Sequence, residues 1–106
     1  MSKGERTRME ILEAGLKIWR YDPSKVNAVN IAKLIGKTHP AVYHHFPRNI
    51  KKAVASYGVR KGDSVVIVHL ILTNDPLVES LSEDERQKHL NTVKELGTPS
   101  KVPVDA

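Results

Sequence analysis

Apolar residues recur along the first half of the chain with a period near 3.6. In residues 7–20, TRMEILEAGLKIWR, positions Ile11, Leu12, Gly15, Leu16, Ile18 and Trp19 share one stripe, and Arg8, Glu10, Glu13, Lys17 and Arg20 take the other side. That alternation predicts an amphipathic helix. Asp22-Pro23 stops it, because proline fits no helix interior and drives the preceding residue out of the α region. Asn27 is suited to cap a second helix, in which Ala28, Ile31, Ala32 and Ile35 repeat at i, i+3, i+4 and i+7 before Gly36 ends it. Thr38 is placed to cap a third, very short helix over 38–45, with Pro40 in its first turn, where the missing N–H costs nothing. Pro47 closes that segment. Asn49 then caps a fourth helix carrying Ile50, Ala53, Val54 and Tyr57. Two short helices joined by a tight glycine-containing turn have helix-turn-helix spacing.

The second half is less decided. Lys61-Gly62-Asp63 reads as a break. The run over 65–72 favours a strand by the propensity of its valines, fits a buried helix equally by periodicity, and is assigned to helix by its all-helical surroundings. Asn74-Asp75-Pro76 makes a second break. Ser82-Glu83-Asp84-Glu85 has the form of a capping box, Ser82 the cap and Glu85 reaching back. Leu90, Val93 and Leu96 give the helix that follows a thin apolar stripe, which Gly97 and Pro99 end, and residues 98–106 read as a frayed tail. The expected fold is all-α: a homeodomain-like three-helix core with a helix-turn-helix over residues 1–61, a C-terminal helical oligomerisation segment over 62–97, and a flexible tail.

Charge changes the picture more than size does. The 106 residues, 40% of them hydrophobic, fit one compact domain with a modest core. Residues 1–61 hold 13 Lys and Arg against Glu5, Glu10, Glu13 and Asp22, whereas residues 62–106 hold 4 basic and 8 acidic side chains. A segment of net +9 attracts polyanions, nucleic acid above all, although a merely solvated basic surface has the same composition. With no cysteine there is no disulfide, thiolate zinc site or cysteine nucleophile. No apolar run spans a bilayer and the first residues lack the hydrophobic segment of a signal peptide, so a soluble, cytoplasmic protein is expected.

Ile11-Leu12-Glu13-Ala14, Ile31-Ala32, Ile35-Gly36 and Val42-Tyr43-His44-His45-Phe46 together resemble the DNA-binding domain of TetR-like transcriptional regulators, over about residues 7–58. That family runs as an Ile-Leu-x-Ala helix, an Ile-Ala helix, a glycine turn and Leu-Tyr-x-His-Phe. This chain departs from it in three places. Lys37 stands where a small apolar turn residue is usual, Asn49-Ile50 replaces the Lys-Glu that opens the fourth helix, and the loop through Asp22-Pro23-Ser24 lacks the usual glycine. The resemblance implies sequence-specific binding of double-stranded DNA. The family's long ligand-binding and dimerising domain has no counterpart here: about 45 residues follow the fourth helix, too few by this reading to enclose a drug-sized pocket, so no small-molecule ligand is expected.

The residues expected on DNA are Arg6, Arg8, Asn27, Lys37, Thr38, His39, Ala41, Tyr43, His44, Arg48, Asn49, Lys51 and Lys52. Helix-turn-helix geometry puts Thr38, His39, Ala41 and His44 in the major groove, where imidazoles donate or accept at base edges, unless they are ordinary surface polar groups. Tyr43 resembles the family's phosphate-contacting tyrosine and would fix register without reading sequence. Asn27, at the start of the second helix, and Asn49, Lys51 and Lys52, at the start of the fourth, bring N–H groups and positive charge toward phosphate, with a solvated face the alternative for Lys52. Arg6 and Arg8, taken to precede the first helix, would reach an adjacent groove or the backbone. His45 and Phe46 are expected in the core with Val42, Leu16, Trp19 and Ile31, and His69 is expected as a buried histidine. The spacing of His39, His44 and His45 does not suit a metal, no cofactor is implied, and no Ser/His/Asp set suggests an enzyme.

The leading expectation is a small dimeric transcriptional regulator, because burying both 65–72 and the Leu90 stripe within one short chain is difficult. An assembly factor with the same domain, such as a phage DNA-packaging (small terminase) subunit forming rings, and a protein-interaction module without DNA are the alternatives.

Overall fold

In a computed structural model that describes residues 2–96, six α-helices follow one another: α1 (Lys3–Tyr21), α2 (Ala28–Ile35), α3 (His39–His45), α4 (Ile50–Lys61), α5 (Ser64–Leu72) and α6 (Glu83–Leu96). Single 3₁₀ turns at Pro23–Lys25 and Pro76–Val78 fill the two proline corners. The fold is all-α, and no strand occurs among the described residues. The expected tail over 98–106, and the stop at Gly97, lie outside them.

Local chemistry sets most of the boundaries. The Asn27 side chain accepts from the Asn30 N–H at 2.8 Å and the Asn49 side chain from the Lys52 N–H at 3.0 Å, so two helices start on side-chain caps. Gly36 and Gly62 end α2 and α4 with φ of 70° and 72°, a left-handed conformation that only glycine adopts without cost. Ser82 and Glu85 form the reciprocal box ahead of α6. Two expectations need correction. The first helix starts at Lys3, four residues before the expected start at Thr7, because Ser2 and Glu5 make a second capping box. Thr38 occupies the cap position of α3 but makes no side-chain cap hydrogen bond.

One hydrophobic core runs from α1 to the second 3₁₀ turn. It holds Ile11, Leu16, Trp19, Ile31, Val42 and Val54 together with Val66, Ile67, Leu70 and Val78, and so continues without interruption past Gly62. The run over 65–72 is helical, and Val66, Ile67, Val68 and Leu70 are buried inside the single chain. That removes residues 65–72 from the reason for expecting a second copy. Leu72 alone of this run is largely exposed, at 72%, and Leu90 and Val93 of α6 are half-buried. Of the first stripe, Ile18 is only half-buried, while Ala14, assigned to neither side, is buried.

Polar ties hold the two halves in place. The Asp63 carboxylate caps α5 by accepting from the Val65 and Val66 N–H groups and also takes the Arg20 guanidinium from α1. The Glu13 carboxylate accepts from the Tyr57 hydroxyl and from Lys61 Nζ at 2.9 Å. The Tyr57 hydrogen bond, then Lys61, holds the Glu13 carboxyl below the usual range, and burial with the Glu13 contact pushes the Tyr57 phenol up. The sign at each end of the pH scale follows from linkage. The Glu13 contribution is present above the ordinary glutamate pKa of about 4.3 and is lost as pH falls through the lowered folded value. The Tyr57 contribution is present below about 10 and is lost as pH rises through the raised one. Glu13→Gln should therefore flatten both limbs of a stability–pH profile measured by urea unfolding. Identical limbs in variant and parent would contradict the assigned tie.

Candidate nucleic-acid interface

Most of the residues expected on DNA fall into two groups. The first group surrounds α3. Gly36 turns the chain out of α2, and Lys37, Thr38 and His39 follow, all exposed. Val42, 0% exposed, anchors the helix to the core, whereas Tyr43 is 47% exposed and His44 is exposed as well. His39 and Tyr43, one turn apart, meet edge to face with ring centroids 6.0 Å apart. Ala41 is half-buried and offers less surface than expected.

The second group opens α4. Asn49, Lys51 and Lys52 are exposed, and the Asn49 side-chain oxygen is already engaged as the helix cap. These three residues also line a cleft of about 590 Å³ with Trp19, His69, Leu70, Asp75 and Leu77. The walls of this open cleft come from both halves of the chain rather than from a separate domain. Lys51 Nζ lies 5.7 Å from the Trp19 ring centroid, and His69 stands edge to face against the same indole at 5.3 Å. His69 is half-buried rather than buried. Burial, reinforced by the Lys51 charge, pushes its imidazole down from the ordinary histidine value and favours the neutral ring. Arg48 is exposed in the loop between the two groups.

The outliers are Asn27 and Arg8. The Asn27 side chain caps α2, leaving its oxygen committed to the backbone. Arg8 lies within α1, not ahead of it; its guanidinium sits 4.3 Å from the Phe46 ring centroid and donates to the His45 carbonyl at 3.3 Å. It ties α1 to the end of α3, which makes it a support of the first group rather than a free arm. Arg6, in the same helix, is exposed. His45 is half-buried, not a core residue, while Phe46 is buried as expected.

Compared with protein-family models, with curated proteins and with solved structures, the chain finds no match.

One contact escaped the sequence reading. Ser64 Oγ and His89 Nδ1 are 2.9 Å apart, a Ser–His pair formed by residues 25 positions apart on α5 and α6. No lining residue of the main cleft belongs to it. Its position at the first residue of α5 makes it a tie between the two helices; separately, the Arg86 guanidinium of α6 donates to the Val78 and Leu81 carbonyls. Only the folded chain brings the two residues together, so no local spacing could have signalled them. Among the described residues no group of three His, Asp or Glu side chains gathers as metal ligands, and no helix is long and apolar enough to cross a membrane.

Proposed function

We propose that this protein binds double-stranded DNA sequence-specifically and acts as a small transcriptional regulator, with α2, the Gly36 turn and α3 working as a helix-turn-helix of the TetR-like kind. The observation that carries the proposal is the two-sided character of α3. A fully buried Val42 fixes one side of a seven-residue helix, and His39, Tyr43 and His44 stand out from the basic half of the chain on the other. A helix held in that way presents its polar side chains to a groove without having to fold first.

In this arrangement Thr38, His39 and His44 face base edges, Tyr43 and Lys37 contact phosphate, and Arg48, Lys51 and Lys52 extend the electrostatic contact along the backbone. Arg8 acts indirectly, through Phe46 and the end of α3. Because α5 is buried within the chain, the proposal does not need a dimer to cover it. Two-fold pairing would instead come from the operator, two half-sites about 34 Å apart each taking one copy.

The test is selection of bound sequences from random duplexes, repeated with His39→Ala/His44→Ala. A consensus should emerge from the parent protein, and at the positions read by α3 the double variant should lose discrimination of about 1–3 kcal/mol per base pair. Binding without any consensus, or an unchanged consensus in the variant, would refute base reading by α3.

A further inference from the structure

α1 and α2 carry a face that the proposed DNA contacts do not use. Two shallow hollows open along it. The first, of about 400 Å³, lies at the C-terminal end of α1 between Ile18, Tyr21, Lys25, Lys33 and Leu34. The second, of about 340 Å³, lies nearer the start of α1, between Glu10, Glu13, Lys17, Leu34 and Ile35. Leu34 lines both and so stands between them. It is 53% exposed, and Tyr21 is 59% exposed. Single exposed apolar residues are ordinary on a protein surface. Here Leu34 and Tyr21 border one hollow together with the half-buried Ile18, and apolar groups gathered within a charged rim mark an interaction site.

Charge selects the partner. Lys25 and Lys33 are exposed at the first hollow, and Glu10 is exposed at the second. Glu13 adds to the acidic end, because its bonds from Tyr57 and Lys61 both fall on Oε2, and a carboxylate accepts on either oxygen. Lys17 stands about 10 Å beyond Glu10 along α1, toward the basic end. Arg6, one turn before Glu10, lines neither hollow. The face therefore runs from acidic through apolar to basic. Turned about a two-fold axis at Leu34, such a surface meets itself with opposite charges opposed, which is the requirement of an isologous contact.

We infer that this face pairs with the same face of a second copy in the absence of DNA. Leu34 packs against its counterpart at the centre, and at each end Lys33 of one copy meets Glu10 of the other. The apolar centre is small, so the contact belongs with weak, reversible interfaces rather than permanent ones.

Sedimentation equilibrium of the full chain without DNA is the test. The parent should dimerise with a Kd of about 50 µM, in keeping with a small interface. Leu34→Ser should weaken pairing about tenfold through loss of the central contact. Lys33→Glu alone and Glu10→Lys alone should each weaken it about tenfold, because each sets like charges together at both ends. Mixing these two single variants should restore the parental Kd, since both ends of the mixed dimer again join a lysine to a glutamate. A folding defect in either variant would not be repaired by mixing. A parent chain still monomeric at about 1 mM would overturn the inference and assign the face to a partner of another kind. A dimer indifferent to all three substitutions, or a mixture no tighter than its components, would overturn it as well. No DNA enters these measurements, so this inference and the regulatory function fail separately.

Discussion

Raising the salt concentration from 50 to 200 mM should weaken duplex binding by roughly 10²- to 10³-fold. About four to six phosphate contacts, each contributing a slope of about −0.9 on logarithmic axes, give a change of this size. The number of contacts is bounded by the cations the fold leaves exposed. Of the 13 basic residues up to position 61, Arg20 is paired with Asp63 and Lys61 with Glu13, while Arg8 is stacked on Phe46. Lys37, Arg48, Lys51 and Lys52 remain exposed around α3 and the start of α4. Lys51→Ala/Lys52→Ala should reduce the slope by about two contacts and lower affinity for all sequences alike, since phosphate contacts position without specifying. Fluorescence anisotropy across a salt series measures both. A flat salt dependence, or an unchanged slope in the double variant, would remove these lysines from the interface.

Gly15→Val should destabilise the protein by about 3 kcal/mol, a large share of the roughly 5–15 kcal/mol available to a domain. Glycine stands at this place in α1 because α4 approaches it closely. A Cβ added there would lie 2.4 Å from one Val54 methyl and 3.1 Å from the other, and Val54 is 0% exposed with no space to retreat. A valine at position 15 would drive two more methyl groups into the same contact. Val54→Ala in the same chain should recover part of the loss, as expected for two residues sharing one interface. Gly4→Val is the control: nothing lies within 4 Å of a Cβ there, and any effect reflects helix propensity alone. Urea unfolding of the four chains tests the α1–α4 contact. A stable Gly15→Val, or no recovery with Val54→Ala, would mean that the helices do not meet at this point.

Local chemistry made much of the fold legible in the sequence. Asn27, Asn49 and Ser82 cap helices with their own side chains, and Gly36 and Gly62 adopt the left-handed conformation that ends them. These interactions span four residues or fewer, so they act wherever the sequence occurs. The apolar repeats of α1, α2 and α4 named Ile11, Leu16, Trp19, Ile31 and Val54 as core because a helix must turn its apolar side inward. Where the pattern was ambiguous, over residues 65–72, helical surroundings alone favoured helix, and the Asp63 cap became visible only in the folded chain.

Tertiary structure decided the rest, because the deciding contacts join residues far apart in the chain. The Ser2–Glu5 box extends α1 past its apolar stripe and so carries Arg8 into the helix and onto Phe46, 38 positions away. Burial of α5 depends on α1, α4 and the second 3₁₀ turn closing around it, which no count of apolar residues foretells. The cleft joins Trp19, Lys51, His69 and Asp75 from four separate segments. Charge and residue type alone pointed to a polyanion partner. How many of those charges are paired with other groups of the chain, and that two of them border a cleft, follows only from the packing of α1 against α4 and α5.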